Sequence, residues 1–66
     1  MAQWMMLKEY TVTYEAVFGP KGVVKTLDVY AFDGLRAINI AMEYESIVPG
    51  TAHAIWKKDV RMCLVK

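Results

Sequence analysis

The feature that most constrains the fold is a strict alternation of apolar and polar side chains between Lys8 and Phe18. Successive side chains of a β-strand point to opposite faces of a sheet, so a period of two predicts a strand with one buried face. Its apolar side chains are Tyr10, Val12, Tyr14, Ala16 and Phe18. Aromatic residues on so regular an apolar face are more typical of a core than of a platform on which nucleic-acid bases stack.

A second strand is predicted immediately after a tight turn. The turn is GPKG, Gly19–Gly22, in which proline fixes φ at the first corner and the last glycine accepts an unusual φ at the exit. Val23–Ala31 then alternates again, with Leu27, Val29 and Ala31 on its apolar face. Because the connection is so short, we expect the two strands to pair as an antiparallel hairpin.

After Asp33 the spacing of the apolar residues lengthens to about 3.6, which predicts a helix that is capped by Asp33 and ends near Ser46. VPG at residues 48–50 ends the helix, because the residue before a proline disfavours helical dihedral angles and glycine permits a sharp exit. The side chains expected to face the core are Leu35, Ile38, Ala41 and Met42.

The last strand is predicted from about Ala52 to Val65, with a bulge or bend near Lys58 and Asp59. If the register continues unbroken through that bend, alternation gives one face Ala54, Trp56, Val60, Met62 and Leu64, and gives the other Lys57, Asp59, Arg61 and Cys63. The helix carries the chain back across the sheet, so this strand is expected to run in the direction of the second and to pair beside the first. The predicted fold is therefore α+β, a three-stranded antiparallel sheet in the order 2-1-3 with one helix packed on one face.

Length and composition predict a single domain, residues 1–66, that folds without a disulfide or a metal. Hydrophobic residues make up 56% of the chain and charged residues 23%, a balance that separates it from disordered segments. Cys63 is the only cysteine and cannot form an internal disulfide, which favours a reducing compartment. The apolar run Trp4–Leu7 is far shorter than a signal peptide or a membrane span. We expect a cytoplasmic protein that does not associate with membranes.

Few groups in the chain could converge into a catalytic centre. His53 is the only histidine, and it could pair with Cys63 only if the fold closed the ten-residue separation between them. One histidine and one cysteine also lack the paired spacings of zinc sites. The four glycines mark turns and do not form a phosphate-binding loop. We therefore expect no enzymatic activity, no metal and no cofactor.

Positive charge is concentrated at the end of the chain. Residues 57–66 contain four basic side chains against Asp59 alone, whereas residues 1–56 contain four basic and six acidic ones. Lysines commonly protect an edge strand from pairing with another sheet. Clustered cations beside an aromatic residue equally favour docking to an acidic protein partner. This second interpretation gives a partner-binding site made of Trp56, Lys57, Lys58 and Arg61.

Other interpretations concern nucleic acid and self-association. The net charge of +1 is low for a general nucleic-acid binder, yet a small nucleic-acid-binding module using the basic last strand is the alternative function. Met5 and Met6 beside Trp4 indicate either an adaptable contact surface or an apolar cover over one end of the core. We expect a monomer, with pairing through an exposed edge strand as a third possibility.

Several short motifs occur in an order that matches a known family. They are YA at Tyr30–Ala31, AINIA at Ala37–Ala41, VP at Val48–Pro49 and RMC at Arg61–Cys63. With these motifs and its strand, strand, helix, strand order, the chain resembles, over about residues 28–63, the small early inhibitors of host RNA polymerase made by short-tailed coliphages, the products of their gene 2. The resemblance implies a phage protein that is not an enzyme. It also implies a block of transcription initiation through binding to the largest catalytic subunit near the downstream DNA channel.

The resemblance further implies which residues of the last strand make the contact. The family has the pattern Arg-x-Arg-x-Cys there, and Arg61 matches the second arginine, two residues before Cys63. The first arginine falls on Asp59, and Lys57 or Lys58 could replace it only if the strand bulges. The partner expected from the resemblance is an acidic surface of bacterial RNA polymerase, met in the cytoplasm of the host cell.

Overall fold

A computed structural model describes all 66 residues of the chain, Met1–Lys66. The elements are β1 (Gln3–Glu15), β2 (Val24–Ala31), α1 (Gly34–Tyr44) and β3 (His53–Val65). Both β2 and β3 pair antiparallel with β1, so the sheet order is β2-β1-β3 and the predicted α+β fold is confirmed. α1 has 11 residues and is neither long enough nor apolar enough to cross a membrane.

The core lies between α1 and one side of the sheet. Val12 of β1 is completely buried, and so are Ala37 and Ala41 of α1. The buried cluster consists of Tyr10, Val12, Tyr14, Val29, Ala31, Ala37, Ala41 and Ile47. We name the side of the sheet that carries Tyr10, Val12 and Tyr14 the helix face, and the opposite side the open face. The alternation in β1 predicts this buried side correctly for these three residues.

α1 approaches the sheet closely because the residues between them are small. A Cβ atom on Gly34 would lie 3.5 Å from the Cβ atom of Ala54 in β3, which is ordinary van der Waals contact. Ala37 and Ala41 follow Gly34 along the same side of the helix at helical spacing. Small side chains therefore set the distance between helix and sheet.

The prediction that Leu35 and Met42 face the core is wrong. Leu35 is 71% exposed and Met42 is 54% exposed, whereas Ile38 is half-buried. Of the four α1 side chains predicted to face the core, only Ala41 is completely buried. The larger apolar side chains lie beside the contact with the sheet because the contact itself has room only for alanine and glycine.

Both ends of α1 follow local sequence signals. The carboxylate of Asp33 accepts a hydrogen bond from the backbone N–H of Arg36 at 2.8 Å, so the predicted N-cap is confirmed. The helix ends at Tyr44, slightly before the predicted end near Ser46. Glu45 follows in an extended conformation, and its backbone N–H donates the last hydrogen bond to the carbonyl of Ala41.

The far end of the β1–β2 hairpin differs from the prediction. β1 ends at Glu15, and Ala16 forms an isolated bridge with Ile47. Phe18 is exposed and does not join the core, contrary to the alternation that placed it there. The backbone N–H of Val17 donates to a carbonyl in the segment after α1, so the chain leaves the sheet before residue 18.

β1 also begins at Gln3, well before the predicted start at Lys8. β2 pairs with β1 only over Lys8–Glu15, so Gln3–Leu7 is joined to Arg61–Val65 of β3 alone. We name this two-stranded segment the ribbon. None of its residues belongs to the buried cluster, and Trp4 is 65% exposed. The N-terminal apolar residues therefore do not cover the core, which leaves the contact-surface interpretation.

Candidate functional site

Two β-bulges in β3 determine which way its charged side chains point. At the first bulge, Glu9 of β1 pairs with Lys58 and Tyr10 pairs with Trp56, which leaves Lys57 without an opposite residue. A bulge of this kind inserts one extra residue into one strand and redirects the side chains next to it. The bulge or bend predicted near Lys58 is confirmed.

The second bulge lies further along β3. Leu7 pairs with Arg61 and Lys8 pairs with Asp59, so Val60 is the extra residue. Because side chains alternate along β1, Lys8 lies on the helix face and Leu7 on the open face. Asp59 therefore lies on the helix face and does not share a face with Arg61, because the unbroken register on which that prediction depended is absent. An extra residue reverses the alternation beyond it, which a simple period of two does not foresee.

The bulges bring Lys58 and Arg61 to the same face of the sheet. Lys58 is opposite Glu9 and Arg61 is opposite Leu7, and these two β1 residues both point to the open face. Regular alternation would have put the two cations on opposite faces. Lys58, and not Asp59, is thus the neighbour of Arg61 on the open face.

Trp56 lies on the other side of the strand. It is opposite Tyr10 on the helix face and is 56% exposed. Its indole Nε1 donates a hydrogen bond to Oδ1 of Asp59 at 3.2 Å. Trp56 and Asp59 therefore form a pair on the helix face, and the four predicted site residues do not make one continuous patch.

Carboxylates of the open face partly neutralise the two lysines. Nζ of Lys57 lies 3.3 Å from Oδ2 of Asp28 and 4.0 Å from Oε2 of Glu9. Nζ of Lys58 lies 3.8 Å from Oε1 of Glu9. Hydrogen bonds from Thr11 and then from Lys57 lower the pKa of Asp28, and the hydrogen bond to Asp28 raises the pKa of Lys57. Both lysine side chains are at least half exposed, so a partner can exchange these pairs at small cost.

Arg61 differs from the lysines because its side chain makes no ion pair and no hydrogen bond within the protein. It is exposed on the open face. A guanidinium is planar, permanently charged, and matches the geometry of a carboxylate. Arg61 is therefore the predicted site residue with the most binding capacity still unused.

Sequence reasoning missed two exposed apolar residues on the open face. Tyr30 of β2 lies opposite Glu9, and Ile55 of β3 lies opposite Thr11. Both side chains are more than half exposed. The signal that could have identified Tyr30 was an aromatic residue next to Thr26 and Asp28 on the side of β2 that faces away from the core. The open face therefore combines cations, acids and apolar contact area, as protein-binding surfaces commonly do.

The two residues considered for nucleophilic chemistry are far apart. His53 pairs with Thr13 and Cys63 pairs with Met5, near opposite ends of β3. At about 3.3 Å per residue they are roughly 30 Å apart along the strand. No group of three or more His, Cys, Asp or Glu side chains could hold a metal ion.

The arrangement as a whole suits binding. Its exposed guanidinium, exchangeable lysine and flanking Tyr30 and Ile55 can contact a macromolecular surface. Comparisons with protein-family models, curated proteins and solved structures find no match.

Proposed function

We propose that the protein binds an acidic surface of bacterial RNA polymerase through the open face of its sheet and blocks transcription initiation by occlusion. The observation that carries the proposal is the shared orientation of Lys58 and Arg61 produced by the two bulges. Neighbouring cations on one surface attract an acidic partner at long range and favour its correct orientation. The contact takes place in the cytoplasm of the host cell.

Arg61 is expected to contribute most of the binding energy. A guanidinium can donate two parallel hydrogen bonds to one carboxylate, and arginine is enriched among the residues that dominate interfaces. Binding through Arg61 breaks no existing ion pair of this protein. Lys58 must exchange Glu9 for a carboxylate of the partner, so its net contribution is expected to be smaller.

Lys57 and Trp56 receive supporting roles in this proposal. Lys57 forms ion pairs with both Asp28 and Glu9 and so fixes these two carboxylates on the open face near Lys58. Trp56 stiffens the bulged strand from the helix face through its hydrogen bond to Asp59. Tyr30 and Ile55, in contrast, are exposed on the open face and can contact the partner directly.

The resemblance to the coliphage gene 2 products supports RNA polymerase as the partner. Those inhibitors use two arginines of the last strand, of which Arg61 matches one and Asp59 replaces the other. The bulges turn Asp59 to the helix face and put Lys58 beside Arg61. The open face therefore keeps two cations, and the charge reversal at residue 59 does not oppose binding there.

A transcription assay with purified bacterial RNA polymerase tests the proposal. The protein is added before the promoter complex forms, in parallel with the variants Arg61→Glu and Lys25→Glu. Lys25 is an exposed lysine at the far end of β2 that forms no ion pair, so the control makes the same kind of charge change away from the site. We expect inhibition by the wild type and by Lys25→Glu, and its loss in Arg61→Glu. An absence of inhibition by the wild type would refute the proposal.

The nucleic-acid alternative receives less support from the geometry. Tyr10 and Tyr14 are buried and cannot stack on bases. The lysines Lys57 and Lys58 already face carboxylates, which also repel phosphates. A gel-shift experiment at low salt separates the two functions, because a phosphate-binding module would form a complex that disappears steeply as salt is added.

A further inference from the structure

We propose that two copies of the protein pair through Gln3–Leu7, forming an antiparallel contact between the β1 strands with Met5 on a two-fold axis. This contact uses the ribbon and is independent of the open face that carries the proposed polymerase site. Its basis is an unpaired stretch of the β1 edge that carries no charged residue.

The ribbon leaves part of the β1 edge without a partner. β2 covers this edge only from Lys8 onward, while β3 occupies the opposite edge along the whole length of β1. The N–H and C=O groups of Gln3–Leu7 that point away from β3 therefore have no strand beside them. An unpaired strand edge is a template for pairing with another chain, and a two-stranded segment is only marginally stable alone.

The charge pattern selects an identical copy as the occupant. Gln3–Leu7 contains no charged residue, so a second copy meets no like charge across the contact. The free edge of β2 carries Lys25 and Asp28, and that of β3 carries a cluster of cations. Edge cations discourage strand pairing. Among the three edges, the uncharged one is therefore the one suited to self-pairing.

Two-fold symmetry and the extent of the free edge, Gln3–Leu7, together fix the register. In an antiparallel pair, opposite residues share a face, and an axis perpendicular to the sheet pairs Gln3 with Leu7, Trp4 with Met6 and Met5 with itself. This register uses the whole free edge and stops before Lys8, the first residue of β1 that pairs with β2. It also brings the exposed Trp4 beside a methionine, and contacts between a sulfur atom and an aromatic ring are favourable.

The contact is short, and interfaces below about 1,200 Å² are typical of weak or transient complexes. We therefore expect a monomer in dilute solution, as the sequence suggests, and a dimer as the protein concentration rises. Because the axis is perpendicular to the sheet, the two open faces of the dimer point the same way. Dimer formation would thus leave both copies of Arg61 accessible.

Sedimentation at increasing protein concentration measures the association. The wild type should shift from 7.5 kDa toward twice that mass, whereas Met5→Lys and Met5→Glu should each remain monomeric because like charges then meet on the axis. An equimolar mixture of these two variants should recover the dimer. Met62→Lys adds the same charge to the other strand of the ribbon and should still dimerise. A wild type that stays monomeric at millimolar concentration, or a mixture that does not associate, would overturn the proposal.

A crosslinking measurement tests the register without adding charge. In a Cys63→Ser background, Met5→Cys places two thiols on the axis within reach of a disulfide, since paired Cα atoms are about 5 Å apart. Gln3→Cys is the matched control, because the two copies of residue 3 are offset by roughly 13 Å along the strands. We expect rapid oxidation to a covalent dimer for Met5→Cys only. Equal crosslinking of both variants would contradict the two-fold register.

Discussion

The indole Nε1 of Trp56 lies 3.2 Å from Oδ1 of Asp59, and the hydrogen bond between them crosses the first bulge of β3, at Lys57. Both side chains lie on the helix face, although regular alternation would separate them. The acid is thereby removed from the face that carries Arg61. The acids that remain near Arg61 on the open face are Glu9 and Asp28, which pair with Lys57 and Lys58.

Removing the Asp59 carboxylate should therefore affect stability more than binding. Asp59→Ala is expected to lower the free energy of unfolding by about 0.5–1.5 kcal/mol through loss of the hydrogen bond. A change in Trp56 fluorescence should accompany it, since the indole loses its partner. Denaturant titration followed by fluorescence measures both effects. A much weaker affinity for RNA polymerase in Asp59→Ala would instead indicate that the acid contacts the partner.

The close approach of α1 to the sheet predicts that its alanines tolerate no enlargement. Ala41→Leu should lower the free energy of unfolding by about 1–3 kcal/mol, because the added carbons have no free volume between helix and sheet. Leu35→Ala is the comparison, since Leu35 is exposed on the same helix and its truncation should change stability by less than about 0.5 kcal/mol. If thermal melts ranked these variants in the reverse order, the orientation of α1 with Ala41 toward the sheet would be wrong.

The raised pKa of Tyr14 makes the stability of the fold depend on pH in the alkaline range. Burial, and then the negative charge of Glu45, raises the pKa of Tyr14 above its ordinary value of 10.0. Its folded form therefore holds the proton more tightly than the unfolded chain does, so its contribution to stability is complete below pH 10 and is lost as pH rises further. Tyr14→Phe should flatten the decline in melting temperature between pH 9 and about 11. Tyr44→Phe, at an exposed tyrosine, is the control; an equal flattening there would contradict the assignment to Tyr14.

The order of elements was predictable because each has a clear period. Alternation through Tyr10, Val12 and Tyr14 identifies β1, and the change of spacing after Asp33 identifies α1. The ribbon was missed because Trp4–Leu7 is apolar throughout and therefore shows no alternation. When neither face of a strand is covered by other elements, an apolar run of this kind gives no sequence pattern that identifies it as a strand.

The arrangement of the site was less predictable than its location. The sequence indicates the basic residues of β3, but the face that each occupies depends on Lys57 and Val60 being the extra residues. Cross-strand register decides this, and the sequence of one strand does not encode it. The helix orientation was misjudged for a related reason: large side chains such as Leu35 give the stronger hydrophobic signal, while the contact with the sheet selects the smaller Ala37.

We propose that Arg61 on the open face holds an acidic surface of RNA polymerase, and an equilibrium binding titration tests this proposal most directly. The dissociation constant of the purified polymerase should be about tenfold or more higher for Arg61→Glu than for the wild type. Lys25→Glu should bind like the wild type, and circular dichroism should show that both variants are folded. Equal affinities for the wild type and folded Arg61→Glu would contradict the claim.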